Sequence, residues 1–266
     1  MEFLKRVRKR SFLSEAVYTV LNIALAIAVV MVIRYTDSVG FAIGLIVLSK
    51  WRVFAVRPRF WWANLRSNLV DFIVSISFVL HMYIVSDASI ADPRKLLLLG
   101  ILTLLYVAWL LIIKPRSKRA YVAVQAGAAV LLGTSALFAI SYNWPASAVV
   151  LAMWLIGYTA ARHILSAYDG ETHGLFLSLV WGVILAELAW VAYHWTIAYS
   201  LPFVATLHVP QVAIIASLMS FLAFKAYDSF YKNAKIRIND IILPLLFTLS
   251  VVLVLLIVFN RVGTAI

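Results

Sequence analysis

No cysteine occurs among the 266 residues. That absence removes disulfides, thiol nucleophiles, cysteine-held zinc and iron–sulfur clusters together. Charge is scarce as well. Only 13% of residues are Asp, Glu, Lys or Arg, against about 25% in ordinary soluble domains. Long polar stretches are missing too: no connection between apolar runs exceeds about fifteen residues, too short for a folded domain of ~50 residues. No Gly-rich phosphate loop is present, which excludes a built-in nucleotide-hydrolysing motor. No His-Glu-x-x-His or other defined ligand spacing occurs. The expectation is therefore no cofactor and no metal. No internal repeat is visible.

What fills the chain instead is apolar and aromatic: 64% hydrophobic, 14% aromatic, mean hydropathy +0.98. A soluble protein of this size would leave large greasy patches in water. Lipid must be the solvent for most of the chain. A transmembrane helix needs roughly 20 mostly apolar residues. Such runs lie at 14–35, 38–56, 66–85, 95–113, 120–141, 146–166, 174–199, 209–227 and 240–260. The fold class expected is all-α, a single polytopic bundle of about nine helices without a soluble domain. The second run is the weakest. Its apolar core "VGFAIGLIVLS" ends at Lys50 and Arg52, side chains that can snorkel to the interface of a short or tilted span. A re-entrant hairpin is the alternative.

The net charge of +12 is a matter of topology, not of nucleic-acid binding, since the basic residues sit in short connections. With the N-terminus inside and nine crossings, Arg34, Arg94, Lys95 and Arg261 are the four basic residues outside, and the other 19 of 23 fall inside. That bias is the positive-inside pattern. It favours a full second crossing, an outer C-terminus and contact with the anionic inner leaflet of a membrane, expected to be a prokaryotic plasma membrane. The N-terminal run is followed by Arg34-Tyr35-Thr36-Asp37, not by a small-residue cleavage site, and reads as a retained helix. A homo-oligomer or a membrane-protein partner fits this composition; a nucleic-acid partner does not.

The stretch "RFWWANLRSNLVDF" at 59–72 joins two chemistries. Trp61 and Trp62 suit an interfacial aromatic belt. Asn64, Asn68, Asp71 and Ser75, spaced by four, three and four residues, make one helical stripe that should face protein, because lipid penalises unsatisfied polar groups. The stripe either glues helices, with Asp71 paired to a basic residue, or lines a vestibule. Lys225 is one partner for Asp71 suggested by depth.

Glu187 is the deepest acid. It lies about 13 residues, or ~20 Å, from the start of the seventh run. Intramembrane carboxylates mark pathways or pairing sites. His194 follows at i+7, and His81 reaches a similar depth on the third run, so Glu187, His81 and His194 could cluster. Arg162 and His163 end the sixth run and are candidates for an anion or lipid headgroup. Asp169, Glu171 and His173 follow in a loop that, with His163, offers metal-capable atoms without a defined spacing. Three functions are compatible: a small transporter or carrier with Glu187 available for proton or cation coupling, a membrane-embedded enzyme acting on lipid-linked substrates, and a non-catalytic scaffold. The first is the expectation carried forward, with an enzyme less favoured for want of a nucleophile motif.

Overall fold

A computed structural model describes residues 12–259 apart from 54, 196, 202 and 203. The basic N-terminal residues Lys5, Arg6, Arg8, Lys9 and Arg10, and Arg261, lie outside the described residues. Nine α-helices are present among them: α1 (Phe12–Thr36), α2 (Val39–Ser49), α3 (Trp61–Asp87), α4 (Asp92–Ala108), α5 (Arg119–Ile140), α6 (Ala146–Leu165), α7 (Gly174–His194), α8 (Gln211–Asn233) and α9 (Ile238–Ile257). Eight are long and apolar enough to cross a membrane. The protein is an integral membrane helix bundle.

Prolines set several helix starts. Pro93 occupies the first turn of α4, and Pro145 and Pro210 stand just before α6 and α8, where a missing N–H costs nothing. α3 is the central helix. Val74, Val79, Met82 and Val85 are fully buried, packed with Ala26, Val29 and Ile33 of α1, Ala42 and Ile46 of α2, and Leu99 and Tyr106 of α4. A second cluster joins α5, α6, α7 and α8 around Val130, Met153, Leu185 and Ala216. Ile73 touches both clusters. A Cβ on Gly133 would come within 2.8 Å of Ile73, so α5 sits close on α3 because this position has no side chain.

Three expected spans differ in the structure. The second is helical only over the 11 residues of α2, about 16 Å. The hydrocarbon core is ~30 Å thick. Two short 3-10 turns, Trp51–Val53 and Pro58–Phe60, carry the chain on to α3. The apolar run made 38–56 look like a continuous helix, but the chain leaves helical geometry where Lys50 finds a buried partner. The end of the seventh run and the first two residues of the eighth are not helical either. Ala198–Leu201 and Val204–Pro210 form an antiparallel hairpin with a bulge at Ser200/Leu201.

One end of the bundle gathers the start of α3, the α4–α5 turn, the α6–α7 loop and the α8–α9 turn. Tyr168 of the α6–α7 loop donates to Asp228 at 3.3 Å, and Arg119 of α5 approaches the same carboxylate at 3.7 Å. This is the basic end. The hairpin lies at the other end with the close of α9, where Tyr199 donates to the Phe259 carbonyl and Gln211 to that of Leu255.

Candidate functional site: a buried charge centre on α3

Asp71 sits ten residues into α3, ~15 Å from its start. Its carboxylate takes four partners. Lys50, the residue that ends α2, pairs with Oδ2. Lys114 reaches the same oxygen at 2.8 Å. Trp109 Nε1 donates to Oδ1 at 3.1 Å, and Ser75 Oγ donates to it at 3.4 Å. Lys50 Nζ also donates to Ser75 Oγ at 3.1 Å and lies 5.0 Å from the Phe72 ring centroid. The side chains of Lys50 and Asp71 are 6% and 10% exposed, that of Lys114 33%. Two ammonium groups thus share one carboxylate, an excess of one positive charge in low-dielectric surroundings.

Local structure delivers these groups. The 3.6-residue period aligns Asp71 and Ser75 on the inward face of α3. Lys50 arrives because α2 stops there. Lys114 and Trp109 arrive through a π-helical turn, Trp109–Ile113, which ends the α4 segment. Such wide turns rotate side chains that a regular helix would point elsewhere, and they concentrate at functional sites. The carbonyls at the end of this turn and just beyond it are held from another helix. Gln125 Nε2, on α5, donates to Ile113 O at 2.8 Å, Arg116 O at 2.9 Å and Lys114 O at 3.3 Å. Its Oε1 accepts from His163 Nε2 at 2.7 Å. Since the two N–H groups of Gln125 face three carbonyls, one of them shared, its oxygen faces His163, whose Nε2 must carry the proton.

Of the stripe, Asp71 and Ser75 are buried, while Asn64 and Asn68 are half-buried. Asn64 Nδ2 donates to Val53 O at 3.5 Å and Asn68 Nδ2 to Asn64 O at 2.8 Å. Both lie nearer the start of α3 than Asp71, and among the described residues neither hydrogen-bonds a lysine. The partner suggested by depth, Lys225, is elsewhere, beside Phe221 on α8.

Glu187 does not join the centre, and it does not meet His81 or His194. It is exposed on the outer face of α7. The helix buries Gly174, Ser178, Gly182, Leu185, Ala186 and Ala189 instead. Small residues at i, i+4 and i+8 let α7 lie backbone-close to α6, the usual basis of helix association in lipid. That choice of face turns Glu187 outward. His81 cross-links α3 to α5: Nδ1 donates to Ser77 O at 2.7 Å, leaving Nε2 to accept from Ser135 Oγ at 3.2 Å. His194 is exposed and donates from Nδ1 to Trp190 O at 2.8 Å.

The anion candidates divide. His163 is committed to Gln125. Arg162 lies against Gly174, with Nη1 2.9 Å from the position a Cβ would take there, and makes no ion pair among the described residues. In the neighbouring loop Glu171 accepts the His173 backbone N–H at 2.6 Å, and among the described residues no three of His, Asp and Glu converge. Beside it, burial holds the Tyr168 phenol above its ordinary pKa, with the Asp228 charge adding to the effect, so Tyr168 remains a neutral donor.

The outward carboxyl of Glu187 makes no hydrogen bond to any described residue. Removing it should therefore relieve a desolvation penalty and break no contact. Glu187→Leu is expected to melt at the same temperature as wild type in lipid nanodiscs, or a few degrees higher. A fall of several degrees would reveal a hydrogen-bonded partner.

These features define a class: a polytopic α-helical membrane protein with a short second helix and a buried ionic centre where that helix ends. No protein family, no curated protein and no solved structure matches the chain.

Proposed function

We propose that this protein is a small membrane carrier in which Lys50, Asp71 and Lys114 form the ion-coupling centre, with Asp71 taking the role that depth alone suggests for Glu187. The observation that carries this reading is the break: α2 ends at Lys50, and Lys50 is buried against Asp71. Irregular backbone at membrane depth is tolerated where it is enclosed by protein or lines a cavity, and broken helices ending on charges are a recurrent feature of transporter sites. An excess positive charge gives the centre two ways to change state. It can release a proton, or it can take an anion. Either alters the attraction that holds α2 to α3. The basic end faces the cytoplasm of a prokaryotic plasma membrane in this reading, as the positive-inside rule directs.

A scaffold would use the same residues as inter-helix cross-links, and an enzyme on lipid-linked substrates would need a reactive group at the centre. Flux separates carrier from both. Purified protein is placed in liposomes loaded with a pH-sensitive dye and challenged with pools of small anions. At least one pool should produce a solute-dependent pH change that is absent in the Lys50→Met/Asp71→Leu double variant, which keeps the apolar volume and loses the buried pair. If no pool moves protons in wild type, or if the double variant behaves identically, the carrier reading fails.

A further inference from the structure

A cleft of about 680 Å³ opens between α7 and α8, with α5 and α6 as its floor. The volume is within the ~300–1,000 Å³ usual for small-molecule sites. Its walls are apolar for most of its length: Ala123, Gly127, Val130, Ala160, Trp181 and Phe224. Its rim is open to the lipid side, where Val124, Val180 and Phe221 are 52%, 40% and 41% exposed. At the basic end the chemistry changes. Arg119, Lys225 and Lys232 stand around the mouth with Asp228 as the one carboxylate. Lys232 pairs with Asp228 at 2.6 Å, and Arg119 adds cation–π contact with Tyr168 at 4.3 Å. Lys225 has no carboxylate partner among the described residues; its ammonium lies 5.7 Å from the Phe221 ring centroid. Ser220 adds a polar atom inside the apolar part, since its Oγ is buried without a hydrogen-bond partner among the described residues.

We propose that this cleft binds one anionic phospholipid from the leaflet at the basic end, with its phosphate at Arg119 and Lys225 and an acyl chain along Gly127, Trp181 and Phe224. Charge and polarity are ordered as such a lipid orders them. The rim has three cations to one anion, so a phosphate there is attracted by an unspent charge. Ser220 lies five residues deeper than Lys225 on α8, ~7 Å along the axis. That is the side on which a glycerophospholipid carries its ester carbonyls, and a hydroxyl left without a partner can donate to one. The lateral opening lets a chain enter from the bilayer without crossing water. A free phosphate would use the rim and leave the apolar walls unfilled. The site is separate from the Asp71 centre and does not depend on its role.

Two substitutions isolate the two halves of the ligand. Lys225→Gln removes the unpaired charge. Gly127→Leu fills the chain slot: a Cβ there meets nothing within 4 Å, so the larger side chain fits the fold while occupying the cleft. Protein is reconstituted in vesicles with increasing fractions of brominated phosphatidylglycerol or brominated phosphatidylcholine, and tryptophan quenching is followed. Subtraction of the Trp181→Phe signal isolates the cleft. Quenching at Trp181 should saturate at about five-fold lower fraction of the anionic lipid than of the zwitterionic one, the effect of ~1 kcal/mol from one basic residue near a membrane surface. Lys225→Gln should abolish that preference, and Gly127→Leu should abolish quenching by both lipids, each with an unchanged melting curve. Equal quenching by the two lipids in wild type would overturn the proposal. So would an undiminished preference in Lys225→Gln, undiminished quenching in Gly127→Leu, or displacement of the lipid by glycerophosphate, which would make the site one for a free anion.

Discussion

Asp71→Ala should cost about 3–5 kcal/mol of stability, the largest effect of any single substitution in the centre. The reason is the company the carboxylate keeps. Without it, Lys50 remains buried next to Lys114 with no counter-charge, and Trp109 Nε1 loses its acceptor. Buried ions removed from water carry a penalty of several kcal/mol each, offset only while the pair is intact. Lys50→Met alone should be milder, because Asp71 keeps Lys114, whose partly exposed head retains access to solvent. The double variant Lys50→Met/Asp71→Leu should recover most of the loss, since apolar replacement of a buried pair is often neutral or better. Thermal melts of wild type, Lys50→Met, Asp71→Leu and the double variant form a cycle. A sum of independent single-variant losses, with no recovery in the double, would show that Lys50 and Asp71 are not coupled. The same double variant, if stable, is the one that tests flux, so loss of fold and loss of function are read separately.

The second large effect is expected at Gly182. Its Cβ would sit 3.0 Å from Trp154 Nε1 and 3.1 Å from the Trp154 carbonyl oxygen. The carbonyl belongs to the backbone of α6 and cannot rotate away. Gly157 mirrors it: a Cβ there meets Leu185 Cβ and Cδ1 at 3.0 Å. The two glycines set the α6–α7 distance from opposite sides. Gly182→Leu must drive the helices apart, which separates Met153, Ile156 and Ala160 from Leu185 and Ala189. Overpacking a tight core costs typically 1–3 kcal/mol, and here lost inter-helix dispersion adds to it, because lipid supplies no hydrophobic force to hold helices together. The melting temperature in detergent should fall by at least 5 °C, roughly what ~2 kcal/mol produces in a protein of this size. Gly100→Leu, where a Cβ meets nothing within 4 Å, is the control and should change little. Similar behaviour of the two variants would mean that α6 and α7 are not held by close backbone approach.

How much of this was legible beforehand follows from what each signal measures. Eight spans were legible because bilayer thickness demands ~20 apolar residues and few other structures use them. The break in the second span was not, because "VGFAIGLIVLS" is apolar to its last residues and composition is blind to where a helix stops. Lys50 could equally have snorkelled to the interface; the decisive fact was a long-range partner, Asp71, 21 positions later. The shared inward face of Asp71 and Ser75 was legible from spacing, whereas the identity of the cations there was not: Lys114 depends on a π-helical turn with no reliable sequence mark. Glu187 shows the difference between depth and rotation. Depth follows from counting residues. Rotation follows from which face packs best, and the signal for it was present in Gly174, Ser178 and Gly182, spaced by four. Gln125 carried no signal at all, since a lone glutamine in an apolar run announces neither its partners nor its burial. The cleft arises from helix adjacency, α7 on α6 and α8 on α5, which no linear pattern contains.

Gln125 has a further consequence. One amide holds the carbonyls of Ile113, Lys114 and Arg116 on one side and the imidazole of His163 on the other. The turn that aims Lys114 at Asp71 is thereby tied to α6, part of the floor of the lipid-facing cleft. Thermodynamic linkage makes any such tie reciprocal. A displacement of α6 relative to α5 would therefore pull, through one amide, on the turn that carries Lys114. Gln125→Leu would leave all three carbonyls without this amide and free the turn that carries Lys114 from α6.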